Sequence, residues 1–355
     1  MNKGQLLFLT LFSSICWSYG QTQFEDVLIH ENEIWALTSK GSVNIFGTSD
    51  GKKIEKELGL KTTVIALAKD KNGKIVIVDG NNIIRRYEGG DWKDIGQSGS
   101  TVSGLVFDNN NRGFTIGESG VTDIRNGQIY FSNETLNSQI QYKNSWSKKS
   151  RFMIDKRDNI WIGFGYGEWG GNMFIFNTDQ RQFIKPNIDS FKMELLPIKS
   201  FFEDSINVYL SAGLQHMTTS GAIIQFENFK AKILFKSESH WGSPDKKGAQ
   251  YMESGQYIGP GGFNPFNHCI YFYSQFGIYK GEPKKDLSKI ENWDLILKPR
   301  LKWTSGQPDA VGSPMNVSKL VFIDKDRFIF VSQNDGIGFF DGNALKMIEP
   351  DSDRR

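Results

Sequence analysis

Two kinds of side chain in this 355-residue sequence are suited to act on another molecule or to hold it. The first kind is a small acid–base set, His216, His240 and Glu253, within one stretch of the chain. An imidazole beside a carboxylate can exchange protons with a substrate or hold a metal ion. These residues are therefore candidates for a hydrolase or lyase site, provided that the segment around His240 folds over the mouth of a central channel.

Motifs of fixed spacing give the enzyme interpretation no support. The sequence has no His-x-x-x-His or His-Glu-x-x-His pair, no Gly-x-Ser-x-Gly elbow and no P-loop. Residues 163–167 alternate glycine with aromatic residues, but no helical pattern follows them, as a nucleotide loop would require. We therefore expect binding without catalysis, and neither a cofactor nor a metal ion.

The second kind of side chain is aromatic and lies beside acidic residues in irregular, glycine-rich segments. The candidate ligand-binding residues are Tyr166, Glu168, Trp169, His240, Trp241, Asp245, Tyr251 and Trp303. Aromatic rings hold the apolar face of a sugar while carboxylates accept its hydroxyls, and the same chemistry suits a protein surface. We expect a carbohydrate or an extracellular protein as ligand. The alternative is that the tryptophans only cover the loops that contain them.

The elements that carry these loops are short β-strands. Residues 151–176 contain an alternating strand, an Asp-led polar turn, the strand Ile160-Trp161-Ile162, a glycine corner and a third strand. The same order recurs seven times, with second strands beginning near Ile34, Ile75, Phe114, Ile160, Val208, Ile270 and Phe328. In the first unit, residues 53–58 are predicted to form the fourth strand.

Four antiparallel strands in each repeat of roughly 40 to 60 residues are the signature of a β-propeller. We therefore predict an all-β protein, a seven-bladed β-propeller of four-stranded antiparallel blades, with residues 21–355 as its single domain. Blades 1 and 7 are expected to close the ring largely by side-chain packing. Continuously apolar strands such as residues 75–78 agree with burial on both faces of a blade.

The repeat resembles the two-component regulator propeller repeat of bacterial extracellular sensors. The resemblance is closest in residues 155–176, and it extends to residues 70–87 and 324–340. It implies a propeller fold and an extracellular setting, whereas activity is not implied because propellers serve many functions. Receptors of that kind carry many more repeats, a membrane span and signalling domains, so we expect a free-standing relative without a kinase-coupled role.

Long segments fall at particular places in the repeat. Strands alternate in direction, so corners between second and third strands lie on the same face as connections between blades. The corner 163–172 and the connections 133–150, 237–262 and 300–318 all belong to these classes. Loops on a rigid scaffold are where binding residues concentrate. We expect one elaborated face, with Tyr142 and Trp146 among its exposed aromatic residues.

Residues 1–20 are predicted to be a signal peptide because residues 6–12 form a short apolar core and small residues precede Gln21. The protein is therefore expected to be secreted or periplasmic, with no membrane span. A lipid anchor on Cys16 is not expected because Ile15 is too bulky for the position before a lipid-modified cysteine. The 42 basic and 40 acidic residues give a net charge of +2, which favours neither nucleic acid nor an anionic membrane as partner.

Two further sites are predicted to be inert. Cys269, the one cysteine beyond the predicted signal peptide, lies in a strand pattern and is expected to be a buried thiol rather than a nucleophile. Asp155 and Asp158 would suit calcium, but Lys156 and Arg157 lie between them, so a solvated turn is expected.

Overall fold

The computed structural model describes residues 22–99, 101–136, 146, 149–216, 218–244, 248–250, 252–302 and 317–350. The predicted signal peptide lies outside these ranges. Described secondary structure consists of antiparallel strands and short 3-10 helices, Gly167–Trp169, Met193–Leu195 and Ile290–Asn292. None of the helices in the described ranges has the length and apolar character needed to cross a bilayer.

The strands form seven sheets in chain order, which are the blades of a ring. Blades 1 to 4 comprise β1 (Phe24–His30), β2 (Glu33–Thr38) and β3 (Val43–Gly47); β4 (Val64–Lys69), β5 (Ile75–Asp79), β6 (Ile83–Glu88) and β7 (Asp91–Gln97); β8 (Val102–Phe107), β9 (Gly113–Gly117), β10 (Gly120–Asp123) and β11 (Ile129–Tyr130); and β12 (Arg151–Ile154), β13 (Asn159–Gly165), β14 (Gly171–Asn177) and β15 (Gln182–Ile184).

Blades 5 to 7 follow the same order, with one small hairpin between blades 5 and 6. They comprise β16 (Ile198–Glu203), β17 (Val208–His216), β18 (Thr218–Glu227) and β19 (Lys230–Ser237); the hairpin β20 (His240–Trp241) and β21 (Met252–Glu253); β22 (Gly261–Asn264), β23 (Cys269–Ser274), β24 (Gly277–Gly281) and β25 (Trp293–Leu297); and β26 (Val317–Phe322), β27 (Phe328–Ser332), β28 (Gly336–Phe340) and β29 (Leu345–Ile348).

This architecture confirms the predicted seven-bladed β-propeller. Its core is divided into seven apolar clusters, and each cluster joins two neighbouring blades. One of them packs Val27 and Ile34 of blade 1 against Ile329 and Ile337 of blade 7. The ring is therefore closed by side-chain packing, as expected. Both faces of each blade are covered in this arrangement, so strands such as β5 are buried along their whole length.

Blade 1 departs from the prediction at its outer edge. Its sheet has three strands, and the fourth position is represented by one antiparallel bridge between Phe46 and Lys53. The amide of Ile54 also donates to the carbonyl of Ile45 over 2.8 Å. Residues 55–58 lie beyond this bridge without forming a strand, because their charged side chains offer little apolar surface to a sheet.

The Asp-led turns are more deeply buried than the sequence suggested. Asp155 lies in the interior, and its Oδ1 accepts hydrogen bonds from the amides of Arg157 and Asn159, both over 2.9 Å. The indole N–H of Trp161 donates to Asp155 Oδ2 over 2.8 Å. The predicted solvated turn is thus wrong for Asp155 and Asp158, which are both buried. Protein donors occupy the Asp155 carboxylate, and this fixes the turn to the second strand of the blade.

Candidate functional site

The corners between second and third strands share one face of the ring with the connections between blades, because consecutive strands pair antiparallel in each sheet. We call this side the loop face, and the side with the short turns the turn face. On the loop face, β17 and β18 are the longest paired strands, with nine and ten residues. The corner 163–172 and the hairpin β20–β21 lie on the same side, as the sequence predicted.

Trp169 ends the 3-10 helix Gly167–Trp169 and is 53% exposed. Gly167 and Gly170 flank it with φ angles of 64° and 79°, which glycine adopts without strain. A Cβ on Gly170 would lie 2.2 Å from the carbonyl oxygen of Glu194, so the corner packs tightly against the next connection. Trp169 therefore projects from a well-fixed backbone.

Tyr166 lies in the same corner but is only 9% exposed. It belongs to the apolar cluster between blades 3 and 4, together with Phe164 and Trp146. The ring of Trp146 stacks on Phe174 with centroids 4.8 Å apart. The expectation of exposed aromatic residues is therefore wrong for Tyr166 and Trp146, because the surrounding phenylalanines supply an apolar site that buries both rings.

Trp241 lies on the hairpin β20–β21 and is 64% exposed. Ser239 anchors this hairpin, because its hydroxyl donates to the carbonyl of Thr219 over 2.8 Å and accepts from the amide of Gly255 over 3.1 Å. The register of the hairpin pairs His240 with Glu253. Trp241 is thus a second large aromatic side chain that is exposed to solvent on the loop face.

The acid–base set is brought together only in part. His240 Nε2 lies 3.2 Å from Glu253 Oε2, with both side chains largely exposed at 68% and 61%. Neither residue lines the central channel. The side chain of His216 lies outside the described part of the structure. The exposed His240–Glu253 pair lacks the desolvated surroundings that are typical of catalytic acid–base groups.

Other predicted contacts fall outside what the structure describes. Asp245, Tyr251 and Trp303 lie in ranges that are not described, and the same applies to the side chain of Glu168. Their predicted role in ligand binding therefore stays a prediction.

A groove of about 740 Å³ lies on the loop face between the segment that precedes blade 5 and the ends of β18 and β19. Leu195 on one side belongs to the 3-10 helix that packs against the helix of Trp169, and Ser239 on the other side precedes Trp241 by two residues. Its polar lining includes Asp189, Ser190, Lys236, Ser237, Glu238 and Ser239. Its apolar lining includes Phe191, Leu195, Leu196, Leu214, Ile224 and Ile233.

A second cavity is a central channel of about 550 Å³, which is lined by the first strands of the blades. In five blades the pairing of the first strand skips one residue near its start, which is a β-bulge. The skipped residues are Glu25, Ile65, Ser103, Lys199 and Ser318, and all of them line the channel. First strands begin at the loop face, so the bulges direct these side chains into the channel near that face.

Positive charge predominates in the channel. The basic residues that line it are Lys69, Lys71, Lys149, Arg151, Lys199 and Lys319, and the acidic ones are Glu25, Asp26 and Asp70. Burial, together with the nearby positive charge of Arg151, lowers the pKa of Lys199 to about 8. The Lys199 ammonium lies 5.4 Å from the ring centroid of the buried Tyr257. Burial likewise lowers the pKa of Arg151.

Comparisons with known proteins identify the fold and go no further. No protein-family model and no curated protein sequence matches the chain. The WD40 repeats of RRP9 are similar over 92% of this chain and 93% of that one, with 11% identity and a TM-score of 0.56. Virginiamycin B lyase from Staphylococcus aureus is similar over 89% and 94%, with 11% identity and a TM-score of 0.52.

YCF48 from Cyanidioschyzon merolae gives a similar result, with 89% and 94% coverage, 12% identity and a TM-score of 0.52. The chains with a similar architecture thus include both a lyase and a WD40 repeat protein. Identities this low establish the propeller fold alone and leave the choice of function to the site itself.

Proposed function

We propose that this protein is an exported binding propeller that holds a carbohydrate on its loop face without transforming it. The observation that carries the proposal is a pair of exposed tryptophans near one groove of the loop face. The helix of Trp169 packs against the helix that carries the groove residue Leu195, and Trp241 follows the groove residue Ser239 by two positions. Polar side chains such as Asp189 and Lys236 line that groove beside apolar ones. Aromatic rings with nearby hydrogen-bonding groups suit a sugar ring, which has apolar faces and a polar rim.

Export is part of this proposal, and it rests on the signal-peptide pattern of residues 1–20. The repeat pattern in residues 155–176 supports a relationship to the two-component regulator propeller proteins, in a free-standing form. An extracellular protein is the alternative ligand, since the same aromatic surfaces serve protein interfaces. A hydrolase or lyase is the less favoured function because the His240–Glu253 pair is exposed to water and lies away from the channel.

The test is a screen of the wild-type protein against glycan and peptide arrays, followed by affinity measurements on each bound ligand. The variant that carries Trp169→Ala and Trp241→Ala should bind at least about tenfold more weakly, because each lost aromatic contact removes about 1 kcal/mol. Phe266→Ala is the matched control, because this ring is 56% exposed on the turn face. Its affinity should equal that of the wild type.

Three outcomes decide between the functions. Glycan ligands that depend on both tryptophans support the proposal, and peptide ligands with that dependence transfer it to a protein partner. Ligands that bind the double variant as tightly as the wild type refute the tryptophan site. Mass spectrometry of a bound glycan after incubation tests for catalysis, and we expect it to be recovered intact.

A further inference from the structure

The central channel contains two cationic side chains that lack the usual partners. Arg151 begins β12 and Lys199 is the second residue of β16, so both lie on the innermost strands of neighbouring blades. Within the described ranges, neither side chain forms an ion pair with a carboxylate. A largely buried charge without a counterion costs free energy, and proteins usually pair it or use it.

The acidic residues of the channel already form ion pairs with basic residues. Asp26 pairs with Lys319 over 2.5 Å, and Glu25 pairs with Lys149 over 3.3 Å. The side chain of Asp70 pairs with Arg86 over 2.9 Å. Each channel carboxylate therefore has a cation of its own. Four of the basic residues that line the channel then have no carboxylate partner in the described ranges: Lys69 and Lys71, which are exposed near the turn face, and Arg151 and Lys199, which are largely buried near the loop face.

We propose that the loop-face end of the central channel is an anion-binding site, in which Arg151 and Lys199 hold an oxyanion group of a small ligand. The guanidinium of an arginine offers paired donors that match carboxylate, phosphate and sulfate oxygens, and a lysine adds a compact positive charge. The channel volume of about 550 Å³ suits a small molecule. This site is separate from the groove beside Trp169 and Trp241, so the two binding functions can be tested independently.

The surroundings of Lys199 explain why an anion is favoured there. Its ammonium lies over the ring of Tyr257, which is buried, and it is close enough to Arg151 for the two charges to repel each other. A bound oxyanion would place negative charge between two cations that the fold keeps together. Each cation then gains a partner without any carboxylate having to leave its own ion pair.

The experiment measures thermal stabilisation of the full chain by sodium sulfate, sodium phosphate and sodium acetate, with sodium chloride keeping the ionic strength constant. Because sulfate and phosphate stabilise proteins generally, the quantity of interest is the difference between the wild type and the variant Arg151→Met/Lys199→Met. We expect saturable stabilisation of the wild type, and at least a tenfold loss of apparent affinity in the double variant.

Lys319→Met tests another channel lysine, one that is already paired, and Lys236→Met tests a lysine of the groove. Both variants should keep the anion response. A response to sulfate or phosphate alone identifies a tetrahedral oxyanion, and a response to acetate identifies a carboxylate, so either supports the site. Equal stabilisation of the wild type and the double variant by every anion overturns it, and so does a response that Lys236→Met abolishes.

Discussion

Replacing Lys199 with methionine should make the protein more stable, although it removes a charged side chain from a structured channel. The pKa of this lysine falls from 10.5 to about 8 because its charge is largely buried and faces Arg151. A difference of that size costs the folded state about 3 kcal/mol at neutral pH. Methionine keeps the alkyl chain, but it loses the contact of the ammonium with Tyr257, worth up to about 1 kcal/mol. The net expected gain is about 2 kcal/mol.

For a chain of 355 residues, the entropy of unfolding is about 0.7 kcal/mol per kelvin, so the melting temperature should rise by about 3 °C. The effect has a defined pH dependence. Below pH 8 the folded and unfolded states both carry the proton on Lys199, and the cost of burying the charge is fully present. Between pH 8 and 10.5 the folded state releases this proton first, so wild-type stability rises relative to the variant and the difference narrows.

Calorimetry of both proteins from pH 7 to pH 10.5 provides the assay. Arg151 and Tyr257 face Lys199 and are present in both proteins, so the difference between the two proteins reports mainly on position 199. Lys319→Met is the matched control, and it should destabilise the protein because it leaves Asp26 without its ion-pair partner. A Lys199→Met variant that is less stable than the wild type at pH 7 would refute the reasoning, as would a difference that is independent of pH.

Three other changes test the fold itself. Asp155→Ala should lower the free energy of unfolding by about 3 kcal/mol in denaturant titrations, because it leaves buried N–H donors unpaired, while Asp155→Asn should cost less. Gly104→Ala should cost about 2 kcal/mol, because the new Cβ would lie 2.1 Å from the ring of Phe152, whereas Gly99→Ala has open space and should be neutral. Burial raises the pKa of the Cys269 thiol, so peptide mass spectrometry should find it alkylated by iodoacetamide only after unfolding, and labelling of the native protein would contradict this.

The blades could be predicted from the sequence because the pattern that marks each strand and turn lies within a few consecutive residues. Each second strand has an apolar residue at its first or second position after a turn, and the residues predicted there, such as Ile75 and Phe328, are buried. Burial within loops could not be predicted in the same way. Tyr166 and Trp146 occupy segments without periodicity, and only the neighbouring strands provide the phenylalanines that cover them.

The basic lining of the channel could not be predicted, for a related reason. In a strand of period two, the sequence indicates which residues share a face, but both faces of a propeller blade meet other blades. A side chain reaches the central channel only if its residue lies in the innermost strand of a blade. At Lys199 a bulge in the pairing of that strand also contributes. The available signal was a basic residue at the first or second position of a first strand, seen at Arg151 in β12 and at Lys199 in β16.

One connection links the two candidate sites. The segment between blades 5 and 6 lines the groove at Ser239, carries Trp241, and then places Tyr257 beneath the ammonium of Lys199. Its backbone is tightly held at Ile258, since a Cβ on Gly213 would lie 2.2 Å from the Ile258 carbonyl oxygen.

Coupling between distant sites needs an element that both ligands contact in a different way in two states. The closely packed backbone at residue 258 argues against such a second state, because it cannot shift without moving β17. We therefore expect the groove and the channel to bind their ligands independently. Affinity for a groove ligand should be the same in saturating sulfate as in chloride of equal ionic strength, and a change of more than about threefold would show that this connection moves.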